Sequence, residues 1–204
     1  AKIDELGITD DTFVIFTSDN GGFINKCKLN RELAVANNAP LRSGKGSCYE
    51  GGLRVPLIVR GPEVVQGKIS SEPVYAPDLY PTLLRAAGLA DQAEAGLDGV
   101  DFTSLLQNPD ARLGREALYF HYPHYYPTTT PVSALRKGDW KLLEYYEDDR
   151  LELFNLKHDP GETQDLSTAN PALAKRLRME LDVWRKKVGA QLPEPNPDWK
   201  PRRK

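Results

Sequence analysis

The feature that most constrains this chain is Thr12-Phe13-Val14-Ile15-Phe16-Thr17, a continuous β-branched and aromatic run with little alternation. Such a run reads as a strand buried on both faces, which requires a neighbour on each side. Only one comparable run lies nearby, Val55-Pro56-Leu57-Ile58-Val59-Arg60. The expectation is therefore a sheet that needs further strands to be complete. Between the two runs, Gly21 to Gly52 is rich in Gly, Asn and charge and has no sustained period. It reads as a long loop with one short helix near Arg31 to Ala36, and loops of this length inside compact domains are usually functional or disordered.

Downstream, Asp78 is placed to cap a helix whose Leu79, Leu83, Leu84 and Ala87 share a face, with Pro81 in the first turn and Gly88 closing it. From about Leu118 the pattern changes to short strands. Val132 to Arg136 and Trp140 to Tyr145 flank the turn Lys137-Gly138-Asp139, and Leu151 to Leu156 follows the acidic turn Glu147 to Asp149. Asn170 and Pro171 open a last helix with Leu173, Leu177, Leu181, Trp184 and Val188 on one stripe, three basic residues at its negative end and Gly189 as its stop. The reading is an α/β region over 1–117, a small α+β unit over 118–190 in which an antiparallel sheet packs with a terminal helix, and an extended Pro-rich basic tail over 191–204.

The charge balance excludes some partners. With 27 Lys and Arg against 29 Asp and Glu, the net charge of −2 gives no bulk attraction to nucleic acid or anionic lipid, so any anion site must be local. No apolar run approaches the ~20 residues of a membrane span. Cys27 and Cys48 lack the Cys-x-x-Cys spacing of redox or zinc sites. Ala1 to Asp11 has neither the charged nor the apolar region of a signal peptide.

Two motifs carry chemistry. Ser18-Asp19-Asn20-Gly21-Gly22 follows the first buried strand, and side chains at the C-terminal end of such a strand project into the crevice where ligands bind. A carboxylate beside a carboxamide offers hard oxygen donors suited to Ca²⁺ or Mg²⁺, although Asp-Asn-Gly is also an ordinary turn. The second is Leu41-Arg42-Ser43-Gly44-Lys45-Gly46-Ser47-Cys48-Tyr49-Glu50-Gly51-Gly52-Leu53-Arg54-Val55-Pro56. A lysine between glycines is a point cation able to hold a tetrahedral oxyanion. It is not a phosphate-binding P-loop, because Gly46 follows the lysine and the chain then enters a strand. Glu50 and Arg54, four apart, are expected to pair and fix the loop.

Taken in order, these motifs resemble the type I sulfatases of the alkaline phosphatase-like superfamily. The resemblance continues through Ala76-Pro77-Asp78-Leu79-Tyr80-Pro81, Leu97-Asp98-Gly99-Val100-Asp101 and Glu152-Leu153-Phe154-Asn155-Leu156-Lys157-His158-Asp159-Pro160-Gly161-Glu162, covering residues 12–188. It implies part of a mixed sulfatase sheet with flanking helices. It also implies Asp19 and Asn20 as ligands of a Ca²⁺ (or Mg²⁺), Lys45 as a catalytic contact to the sulfate oxygens, and a sulfated small molecule or saccharide as substrate, in a periplasmic or secreted setting.

The family's nucleophile, a formylglycine, arises within Cys/Ser-x-Pro/Ala-x-Arg, upstream of the Asp-Asn pair. This sequence lacks that motif. Cys27-Lys28-Leu29-Asn30-Arg31 keeps the cysteine and arginine but has Leu29 where proline or alanine belongs, and it lies on the wrong side of Asp19. The segment alone is expected to be inactive. His121 and His124, in Phe120-His121-Tyr122-Pro123-His124-Tyr125-Tyr126, are candidate sugar contacts, the alternative being a packed loop between subdomains. Cys48 is expected to pack and His158 to be solvated. The competing functional readings are a phosphodiesterase or phosphomonoesterase of the same superfamily and a non-catalytic binding module.

Overall fold

The computed structural model describes residues 2–24, 35–194 and 196–199. In chain order its elements are α1 (Lys2–Glu5), β1 (Val14–Thr17), α2 (Glu50–Leu53), β2 (Leu57–Arg60), α3 (Leu79–Ala86), α4 (Thr103–Gln107), β3 (Leu118–Tyr122), β4 (Val132–Lys137), β5 (Trp140–Tyr145), β6 (Leu151–Asn155) and α5 (Pro171–Val188), with single 3-10 turns at Thr9–Asp11, Ala76–Asp78 and Ala90–Gln92. They form two compact units, Ala1–Asp19 with Val55–Glu116, and Asn20–Arg54 with Ala117–Lys204. The Gly-rich loop thus packs with the C-terminal sheet. The helix expected near Arg31 lies largely outside the described residues, as does Cys27.

In the first unit β1 pairs antiparallel with β2, Val14 opposite Arg60 and Thr17 opposite Leu57. The strand is not buried on both faces as its composition predicts. Phe16 is 60% exposed and its register partner Ile58 62%, while Ile15 and Val59 on the opposite face are partly covered. The reason is that burial belongs to neighbours, and among the described residues this sheet has two strands.

Asp78 does more than begin α3. Its fully buried carboxylate accepts the Tyr75 N–H (3.0 Å) and the Val100 N–H (2.8 Å) and pairs with Arg115, tying three stretches of chain together. Thr82, rather than Leu83, is the buried residue of α3. Its hydroxyl donates to the Asp78 carbonyl and accepts the Phe102 N–H, while Leu83 is exposed.

The second unit is built on an antiparallel sheet in the order β3-β4-β5-β6. Period-two alternation sends residues to opposite faces. Leu135, Leu142 and Leu153 meet Ala174, Leu177 and Leu181 of α5 on one face. Val132, Ala134, Leu143, Tyr145 and Phe154 meet Cys48 and Tyr49 of the lysine loop on the other. The hairpin between β4 and β5 is tighter than expected: Lys137 pairs with Trp140, so the turn is Gly138-Asp139 alone, with Gly138 at φ +57°. Helix α5 ends at Gly189 in the left-handed region, as predicted. Val188 falls off the apolar stripe and is half exposed, and Arg185 is buried in its place, pairing with Glu144 at 2.7 Å and donating to the Tyr146 hydroxyl at 2.9 Å.

Candidate functional site

Of the candidate site residues, Asn20, Lys45, His121 and His124 lie in the second unit, and Asp19 ends the first of the two stretches that make up the first unit. The chain leaves β1, bends at Asp19 and Asn20, and enters the glycine pair. Asp19 is exposed and Asn20 is half-buried. The Gly21 N–H donates to the Gly52 carbonyl (3.0 Å), and the Lys45 N–H donates to the Gly22 carbonyl (3.1 Å). Two motifs that are separate in sequence are therefore stitched backbone to backbone. A Cβ at Gly21 would collide with the Gly51 carbonyl, so this approach requires glycine.

Asn38 completes the stitch. Its amide donates to the carbonyls of Gly22 (3.1 Å) and Ser43 (3.0 Å), and its carbonyl accepts the Gly22 N–H (3.2 Å). Ser43 sits at φ +63°, a left-handed conformation that costs about 1–2 kcal/mol for a residue with a Cβ. Gly46, at φ +84°, continues the turn with the Tyr126 ring filling the space a side chain would take. The Thr128 hydroxyl donates to the Lys45 carbonyl at 2.8 Å. The backbone of Lys45 is thus held from two sides while its side chain is exposed, and among the described residues no ion pair neutralises it. This presents an ammonium to solvent from a turn whose backbone is fixed.

The loop's far end is anchored differently from the sequence expectation. Glu50 does not pair with Arg54. It is buried and meets the Lys141 ammonium at 2.9 Å, because α2 turns the Glu50 side chain inward against β5 while Arg54 is exposed. Tyr49 donates to Glu152 at 2.6 Å, and the Arg42 guanidinium lies over the Tyr49 ring at 3.9 Å. Burial pushes the Cys48 thiol up to about 11, so it is held as an inert packing group.

Both ring nitrogens of His121 are engaged within the unit, Nδ1 with the Ser133 hydroxyl (2.7 Å) and Nε2 with the Gln191 carbonyl (2.8 Å). His121 lies on β3, an edge strand, and not in a loop between subdomains. His124 is exposed just beyond it, its ring edge-on to Tyr122. Tyr125 is exposed too, its hydroxyl donating to Glu147 at 2.7 Å.

A metal would find an incomplete set here. One carboxylate and one carboxamide suit a hard cation in kind, but they supply two of the about six to eight oxygens that Ca²⁺ takes. Among the described residues no group of three or more His, Cys, Asp or Glu side chains converges as a metal site.

A family model described as N-sulphoglucosamine sulphohydrolase, C-terminal, matches residues 44–187, from the lysine loop almost to the end of α5. The chain belongs to the sulfatase family. It corresponds to the C-terminal portion of such proteins. A sulfatase of Formosa agariphila is 37% identical over 87% of this chain and 34% of its own length, and mouse steryl-sulfatase is 38% identical over 90% and 33%. The chain therefore spans about a third of the length of these curated relatives. Among solved structures, Ps i-CgsB in complex with k-i-k-neocarrahexaose superposes with a TM-score of 0.72 at 33% identity, covering 89% of this chain and 38% of that one. BT4656 in complex with its substrate D-glucosamine-2-N,6-O-disulfate superposes at 0.69 with 26% identity, covering 92% and 36%. The alkaline phosphatase-like fold implied by the motifs is thereby shown, with the four-stranded sheet and α5 as its C-terminal part. No helix among the described residues is long and apolar enough to cross a membrane.

Proposed function

We propose that the intact protein hydrolyses a sulfate ester carried on a saccharide, and that this segment supplies the contact to the sulfate oxygens through Lys45. The observation that carries the reading is the backbone stitch between the two motifs: Lys45 N–H to Gly22 carbonyl and Gly21 N–H to Gly52 carbonyl. It gives a lysine on a sheet-backed turn a fixed place beside the chain that bears Asn20. A sulfate ester carries a tetrahedral monoanionic group, and negative charge develops on the leaving oxygen as the ester S–O bond breaks. An ammonium carried on a turn whose backbone is fixed can reach the sulfate group and offset that charge. Asp19 and Asn20 would contribute two donors to a Ca²⁺ whose other ligands lie outside this segment. Such an ion, when bound, polarises the sulfate oxygens. The saccharide is inferred from relatives solved with k-i-k-neocarrahexaose and with D-glucosamine-2-N,6-O-disulfate, and the exposed His124 and Tyr125 are suited to stack on a ring. A periplasmic or secreted setting accompanies this reading.

In the intact protein, Lys45→Ala is expected to lower turnover of an aryl sulfate and of a 6-O-sulfated glucosamine by about 10²–10³-fold, the loss typical of one oxyanion donor. Equal loss towards phosphate diesters would favour a phosphodiesterase instead. Calorimetry gives a readout independent of turnover: Asp19→Ala weakens Ca²⁺ binding by the intact protein, and unchanged binding would remove Asp19 from the ligand set.

A further inference from the structure

The turn Asp159-Pro160-Gly161-Glu162 has no part in the chemistry above, yet its last residue is the most constrained carboxylate of the unit. Glu162 is fully buried and left-handed at φ +52°, a conformation rare for a residue with a side chain. Asp159 builds the turn, accepting the N–H groups of Thr163 and Gln164 at 2.8 Å each.

Three bonds leave Glu162. Its backbone carbonyl accepts Nη1 of Arg42 (2.9 Å), one carboxylate oxygen accepts the Glu50 N–H (2.6 Å), and the other meets Nζ of Lys141 (2.8 Å). Arg42 and Glu50 are the two ends of the loop that carries Lys45. Lys141, 1% exposed, also holds the Glu50 carboxylate from β5. One turn, far along the chain, therefore grips the loop at both ends and against the sheet.

Packing alone does not require this. Apolar side chains of similar volume hold segments together at no desolvation cost, but they tolerate slip, whereas directed bonds between buried charges fix one register. A charge that must meet a reacting group within about 0.5 Å needs the second property. We propose that Glu162 and Lys141 are positioning residues for Lys45, setting the register of the Arg42–Glu50 loop on β5. The geometric claim stands on the bonds above. Its catalytic consequence rests on the reading of Lys45 as the sulfate contact.

Amide hydrogen exchange on the intact protein tests the geometry. Glu162→Gly keeps the left-handed backbone and removes the carboxylate. It should speed exchange at Lys45, Gly51 and Gly52 by about tenfold or more and leave Leu142 and Leu143 of β5 unchanged, whereas Glu162→Gln, which keeps an acceptor for the Glu50 N–H but turns its NH2 towards the Lys141 ammonium, should speed the same amides by less. Should Glu162→Gly fail to fold, Glu162→Asp replaces it: charge kept and reach shortened, it must loosen the same three amides. No change in them, or an equal change across β4 to β6, overturns the proposal. In the intact protein, Glu162→Gly should lower aryl sulfate kcat about tenfold or more, with a smaller loss in Glu162→Gln, since small misplacements at a reacting centre cost up to about 10²-fold. If Lys45→Ala leaves turnover intact, the sulfate reading fails while the exchange result still judges the positioning claim.

Discussion

Strand β1 carries no charged residue and β5 carries two, Lys141 and Glu144, yet their burial runs the other way. Phe16 of β1 is 60% exposed, while Leu142 and Leu143 of β5 are wholly buried, one against α5 and the other against the lysine loop. The difference teaches that a strand's sequence states how much burial it can use, and its neighbours state how much it receives. The second unit has a cover for each face of its sheet. In the first, β1 and β2 present Phe16 and Ile58 to solvent and line, with Leu83, Phe102 and Leu106, an open cleft of about 640 Å³.

The largest expected effect probes the second unit's charged interior. Lys141→Met leaves the Glu50 and Glu162 carboxylates buried without their cation and should cost about 3–5 kcal/mol in urea unfolding. Leu142→Ala should cost about 2–5 kcal/mol, since it empties a fully packed position. A smaller effect lies in the pH dependence. Burial raises the Glu162 carboxyl above its ordinary value, against the opposing pull of Lys141, so the folded state binds more protons than the unfolded one just above that value. Its contribution to stability is present below the unfolded pKa and is lost as pH rises through the folded one. Unfolding curves across mildly acidic pH should therefore show a decline that Glu162→Gln flattens. Lys141, Glu50 and Cys48 surround the group and are held constant in that comparison. The smallest effect belongs to the first unit: Phe16→Ser should change stability by no more than about 0.5 kcal/mol. A cost comparable to that of Leu142→Ala would erase the contrast between the two sheets.

How much of this was legible follows the range of the interactions. Strands β4 to β6 and helix α5 announced themselves because alternation, Pro171 and Gly189 act locally. Lys45 stood out between its glycines, although only the resemblance gave it a sulfate to hold. Glu50 was assigned to Arg54, four residues away, whereas its cation stands on β5, 91 residues on. The grip of Glu162 on Glu50 spans 112 residues. Asn38 gave no signal within a loop rich in Asn and Gly, since its value lies in three backbone groups that converge only after folding. Asp78 was recognised as the start of a helix, but its burial against Arg115 depended on a partner the local pattern does not contain.

The stitched glycine loop also bears on redesign. Because Gly21 meets a carbonyl and Gly46 meets the face of Tyr126, the mildest of substitutions, a single added methyl, is the change this surface absorbs worst. Under the saccharide reading proposed above, altering which sugar is accepted is therefore a task for the segment between β3 and β4, where His124 and Tyr125 are exposed. The lysine loop is a part to be inherited whole.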